Sequence, residues 1–223
     1  MRMRMTPNYE RAATAAAETL IRYNVSAAPV APLRMLKAEP GVIVLTFAEL
    51  ASGLGVDRRD LLGQFGSGSK DAVTLVHDVN GVPRYFVGYN MMLPEFLLQR
   101  SIARELGHIV LGHDGSRPQD VREAEAICFA MHLLCPRPLI RAIQDAGVPI
   151  TVEALGLITG CYERGVASLR RVEGVRVSPE LNRQVRAQFA AYVDNVADCR
   201  ALLSRNDTSP QVDFGKYLEG YEE

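Results

Sequence analysis

The chain is expected to be an α+β protein, a small sheet beside a central helix, on three observations. Asn80-Gly81 separates two strand-like runs, Ala72 to Asp78 and Pro83 to Tyr89, and this dipeptide is a strong signal for a two-residue hairpin. Gly41 to Phe47 is short, β-branched and bounded by Pro40-Gly41, as a buried strand would be. The longer stretches around them, Pro94 to Gly112 and Gln119 to Leu134, carry helical signals.

The elements follow in order. A first helix is expected from about Asn8 to Tyr23, then the strand at 41–47 and a short helix from Asp57 to Phe65. Gly63 to Lys70 has the outline of a phosphate-binding loop. However, its lysine falls one residue late, Asp71 replaces the hydroxyl residue and no strand leads in, so a connector is expected. In the hairpin, Pro83 lacks an N–H, which places the second strand at a sheet edge, with Arg84 to Gly88 offered to an extended peptide.

Pro94 suits the first turn of a helix running to Gly112. Within Ile102 to Leu111 only Arg104, Glu105 and His108 are ionisable, so this helix is expected to be largely buried, with its charges paired or metal-bound. Glu125 lies one turn from both Val121 and Phe129 on the next helix and therefore points inward. Further on, Thr151 to Ile158, a break at 159–161 and Tyr162 to Val172 have the outline of a helix-turn-helix, for which plain packing is the preferred reading. One long amphipathic helix should follow from Ser178-Pro179 to Leu203, and Phe214, Tyr217, Leu218 and Tyr221 form an apolar face in a polar tail that is expected to dock.

Composition is that of an ordinary globular protein, with 48% hydrophobic and 23% charged residues. A net charge of -1 offers no general field for nucleic acid or an acidic membrane. The N-terminus shows no signal peptide and the chain no membrane span, and the four cysteines show no metal-like spacing. A reduced, cytoplasmic protein is expected.

Arg104-Glu105-Leu106-Gly107-His108 is a His-Glu-x-x-His motif with arginine in the first position. In the intact motif, two histidines four apart on a helix bind zinc and the glutamate deprotonates the metal-bound water. Arginine cannot serve as the first ligand, because its guanidinium stays protonated and offers only donors. His113 lies five residues after His108, where a metzincin third ligand would fall six after, and is taken as a structural helix-end residue. A relocated site using His108, Glu125, Cys128 and His132 is conceivable from spacing and is not favoured.

The run Ile102 to His113, then Glu123-Ala124-Glu125-Ala126 and Leu133-Leu134-Cys135-Pro136, resembles the ImmA/IrrE family of metallo-endopeptidases over about Tyr89 to Ile140. The departures are Arg104 for the first histidine and Cys135 for the usual methionine. The resemblance implies a minimal zincin-like domain over 1–145, followed by a helical region at 146–204 and a tail at 205–223. It implies zinc held by the motif histidines and Glu125, with Glu105 as general base, and cleavage of a protein regulator, a helix-turn-helix repressor or antitoxin, in stress, phage or mobile-element control. With Arg104 in place zinc is expected to be absent or weakly bound, Arg104 and Glu125 are expected to form a structural ion pair, and Arg104→His is expected to rebuild the motif. Three readings stay open: a pseudopeptidase that binds its regulator, an active zinc peptidase with a replacement ligand, and a DNA-associated regulator using residues 148–174.

Overall fold

The computed structural model describes residues 5–64, 71–160 and 174–199. Its elements are α1 (Tyr9–Arg22), α2 (Pro32–Ala38), β1 (Val42–Thr46), α3 (Phe47–Leu54), α4 (Arg58–Gln64), β2 (Ala72–Val79), β3 (Val82–Tyr89), α5 (Glu95–Val110), α6 (Gln119–Leu134), α7 (Arg137–Asp145), α8 (Val152–Thr159), α9 (Pro179–Gln188) and α10 (Ala190–Asp198). The mixed helix and sheet content is that of the expected α+β class. The described residues fall into two compact units, Ala31–His113 and the described residues of 1–30 together with those from 114 onward.

The first of these units holds the sheet, of order β1-β3-β2, with β1 parallel and β2 antiparallel to β3. Asn80 and Gly81 both take positive φ, 57° and 78°, as the mirror-image hairpin turn demands. Contrary to expectation, Pro83 does not mark an edge: β3 is the central strand, so Arg84 to Gly88 is no open edge for a peptide. Pro83 fits there because its nitrogen faces the β1 side, and β1 pairs only from Tyr85 onward, where the Tyr85 N–H reaches the Gly41 carbonyl at 2.9 Å.

Alternation along the strands puts Thr74 and Gly88 on opposite faces, since Thr74 pairs with Val87 and Gly88 with Val73. α5 packs on β2 and β3, and α2 packs on α5 and β1. On the Gly88 face, α3 lies so close that a Cβ at Gly88 would stand 2.8 Å from Leu50 Cδ2. Leu50, Ala51 and Leu61 form a small core there, with Leu45 and Leu75 against it. The strand expected to run to Phe47 stops at Thr46 because Thr46 starts a capping box. Its hydroxyl accepts from the Glu49 N–H, and the Glu49 carboxylate accepts from the Thr46 N–H.

In the other unit, α1 packs on α6 and α9, and α7 packs on α9 and α10. Asn8 caps α1 by accepting from the Arg11 N–H at 2.9 Å. The stretch Gln119–Asp145 is long and apolar enough to cross a membrane, but its most apolar window is 89% buried, as in a core segment of a folded domain. The long helix expected from Ser178 is two helices, broken at Phe189. That side chain is fully buried, and its N–H is shared between the Val185 and Arg186 carbonyls at 3.3 and 3.2 Å. Leu203, the Tyr162 to Val172 helix, the Gly63 to Lys70 comparison beyond residue 64, and the tail face from Phe214 lie outside the described residues.

Candidate functional site

α5 carries the altered motif. Ser101, Ile102, Ala103, Glu105, Leu106 and Gly107 are buried along it, as the apolar run requires. Arg104 donates from Nη2 to Glu105 Oε1 at 2.6 Å and to the Ala72 carbonyl at 3.2 Å. The other carboxylate oxygen, Oε2, accepts from the Thr74 hydroxyl of β2 at 2.7 Å. Glu105 is only 3% exposed, so its charge sits in a low-dielectric setting and is balanced by its immediate neighbour Arg104. Both of its oxygens thus take part in local hydrogen bonds.

The helix ends after Val110 with Gly112 in the left-handed region at φ 61°. The Gly112 N–H reaches the Ile109 carbonyl and the His113 N–H reaches the His108 carbonyl, at 3.0 and 2.9 Å. This is a Schellman motif, and it folds His113 back over the last turn. The two rings meet edge to face with their Nδ1 atoms 2.9 Å apart. His113 is therefore more than a helix-end residue, because it holds the ring of His108.

Glu125 is fully buried on α6, flanked by buried Val121 and Phe129, as its position in the sequence indicated. Its Oε1 accepts from the Asn8 backbone N–H at 2.7 Å, and its Oε2 from Arg117 Nη1 at 2.8 Å. One turn further along α6, Cys128 donates its S–H to the Tyr9 carbonyl. Burial, with the Glu125 charge adding to it and Arg137 opposing it, pushes the Cys128 thiol up to about 12. His132 lines a small cavity of about 20 Å³ with Leu20, Arg137 and Asn182, and desolvation, helped by Arg137, pushes its pKa down to about 3. Cys128 and His132 are thus built into the packing of α6. His77 stands exposed on β2 opposite Arg84.

Arg104, Glu105 and His108 belong to one unit, together with Ala72, Thr74 and His113, whereas Glu125, Asn8 and Arg117 belong to the other. The Arg104–Glu125 pair expected from the sequence would join the two and stands as a proposal. Three participants escaped sequence reasoning: Thr74, Asn8 and Arg117. His113 was weighed and taken only as a helix-end residue, although the glycine directly before it marks a helix C-terminus that turns the next residue back. For the other three, no short-range pattern points to the contact.

Residues 59–157, which span α4 to α8 and contain Arg104, Glu105, His108 and Glu125, match the family model described as the IrrE N-terminal-like domain. Over this segment the chain is similar to the ImmA/IrrE-like metallopeptidase family. Neither a curated relative nor a solved structure matches the chain.

This similarity implies zinc, and the motif residues present in this chain fit it poorly. The first ligand position holds a permanently charged donor in Arg104, and the carboxylate beside it accepts from that arginine and from Thr74. Within either unit, among the described residues, no three His, Cys, Asp or Glu side chains form a metal-holding group. Catalytic zinc generally keeps three protein ligands.

Proposed function

We propose that this IrrE-like protein is a pseudopeptidase that binds a transcriptional regulator of the repressor or antitoxin type without a zinc-dependent cut. The Arg104–Glu105 contact of 2.6 Å carries the reading. In an intact motif Glu105 would serve a metal-bound water. Here a cation fixed one residue away supplies positive charge to that carboxylate, and Thr74 holds its second oxygen. The regulator is the partner class that the family resemblance suggests, in the setting of stress, phage or mobile-element control.

The test is elemental analysis of the purified chain together with a cleavage assay on helix-turn-helix regulators encoded beside its gene. Zinc far below one per chain, and a regulator bound but uncut, is the expected result. Stoichiometric zinc with cleavage would overturn the proposal and bring forward the active enzyme with a replacement ligand.

A further inference from the structure

Glu125 is the residue that the resemblance would assign to metal, yet in its own unit it has a different employment. Its carboxylate receives the backbone N–H of Asn8, a residue 117 positions away in sequence. Asn8 is the N-cap of the fourteen-residue α1, and its side chain caps the Arg11 N–H. One helix terminus is therefore satisfied from both sides, locally by Asn8 and from a distance by Glu125. A carboxylate at a helix N-terminus is favoured both by the open N–H groups and by the helix dipole. The opposite oxygen is balanced by Arg117, in the turn that leads into α6. The Cys128 contact to the Tyr9 carbonyl fastens the next residue of the same segment. An open groove lined by Thr6 to Glu10, Arg117, Gly174 and Val175 runs over this junction.

We infer that Glu125 is the fastening point of the N-terminal segment, with Arg117 as its charge partner, so that residues 5–9 form a strap held by this carboxylate without metal. The inference rests on the pseudopeptidase reading only in its metal-free part. Asn8 contributes a backbone N–H, so the fastening survives most side-chain changes at position 8. Glu125 contributes the only carboxylate that this contact uses, and it is buried, so water cannot stand in for it easily.

Hydrogen exchange on the full chain tests this, because local opening of a segment is read directly by its amides. Glu125→Ala should speed exchange at residues 8–12 about tenfold or more, with exchange late in α6, at 129–134, changed far less. Added zinc should leave the unmodified chain's exchange at 8–12 unchanged. If Glu125→Ala does not fold, Glu125→Gln, which keeps the volume and one acceptor oxygen, should give a smaller acceleration at the same amides. Unchanged exchange at 8–12 in the folded variant would overturn the strap. Zinc-induced acceleration in the unmodified chain would overturn its metal-free character. Zinc already present in the purified protein would instead strike at the pseudopeptidase reading, and leave the Asn8 contact to be judged by the Glu125 variant alone.

Discussion

His113 meets His108 across 2.9 Å, Nδ1 to Nδ1, because Gly112, between the end of the helix and His113, takes φ 61°. Only one proton fits between two facing ring nitrogens, so one imidazole donates and the other accepts. The pairing thereby sets the tautomers of both rings together. The contact depends on a backbone conformation that a side chain at position 112 would resist.

Gly112→Ala should accordingly destabilise the protein by about 1–2 kcal/mol, the cost of a left-handed residue bearing a Cβ. Open space surrounds that Cβ position, so strain and not collision is the cause. Gly112→Asn should cost less, since asparagine tolerates this region better. Urea midpoints for the three proteins check the ranking, and an alanine variant as stable as the parent would contradict it.

Gly88→Ala should fail for a different reason. Its Cβ would stand 2.8 Å from Leu50 Cδ2 and 3.0 Å from Phe47 Cδ1, so α3 must move off the sheet or Leu50 must change rotamer. Overpacking of this kind costs about 1–3 kcal/mol. Leu50→Ala in the Gly88→Ala background should recover part of the loss, and a double-mutant cycle by urea unfolding would show the coupling.

Acid should weaken the fold through His132. Burial first, and the Arg137 charge second, push its folded pKa down to about 3, against an ordinary value of 6.5. Between those values the unfolded chain binds more protons than the folded one, so stability is complete above about pH 6.5 and falls as pH drops toward 3. His132→Gln should flatten the dependence in that window. Unfolding free energies at pH 7, 5 and 4 measure it, and parallel curves for parent and variant would remove His132 as the cause.

The thiols should divide by environment. Cys128 and Cys135 are buried and Cys199 is exposed, and the Cys128 thiol is pushed up to about 12, mainly by desolvation. Thiolate is the reactive species, so at pH 8 iodoacetamide should label Cys199 in the native protein and reach Cys128 only on unfolding. Mass mapping of a Cys161→Ser variant gives the answer, and fast native labelling of Cys128 would show that α1 opens readily over α6.

The elements that the sequence by itself determined are those set by short-range physics. The Asn80-Gly81 turn was legible because its positive φ values select those residue types. The α6 span and the inward aim of Glu125 followed from helical spacing, and the motif position of Arg104 from residue order alone. The short helices α2, α3 and α7 were not anticipated. α3 leaves β1 with no polar break, so Phe47 reads as strand by its apolar neighbours, and the Thr46 capping box makes it helix.

Only the tertiary structure decided the strand order, in which β3 is central despite Pro83, because β1 returns to pair from Tyr85 onward. It also decided the partners of the carboxylates. Thr74 reaches Glu105 across 31 positions and Asn8 reaches Glu125 across 117. Such contacts leave no periodic trace, because they arise when separately specified elements pack and each buried charge must find donors among whatever backbone and side chains that packing brings near.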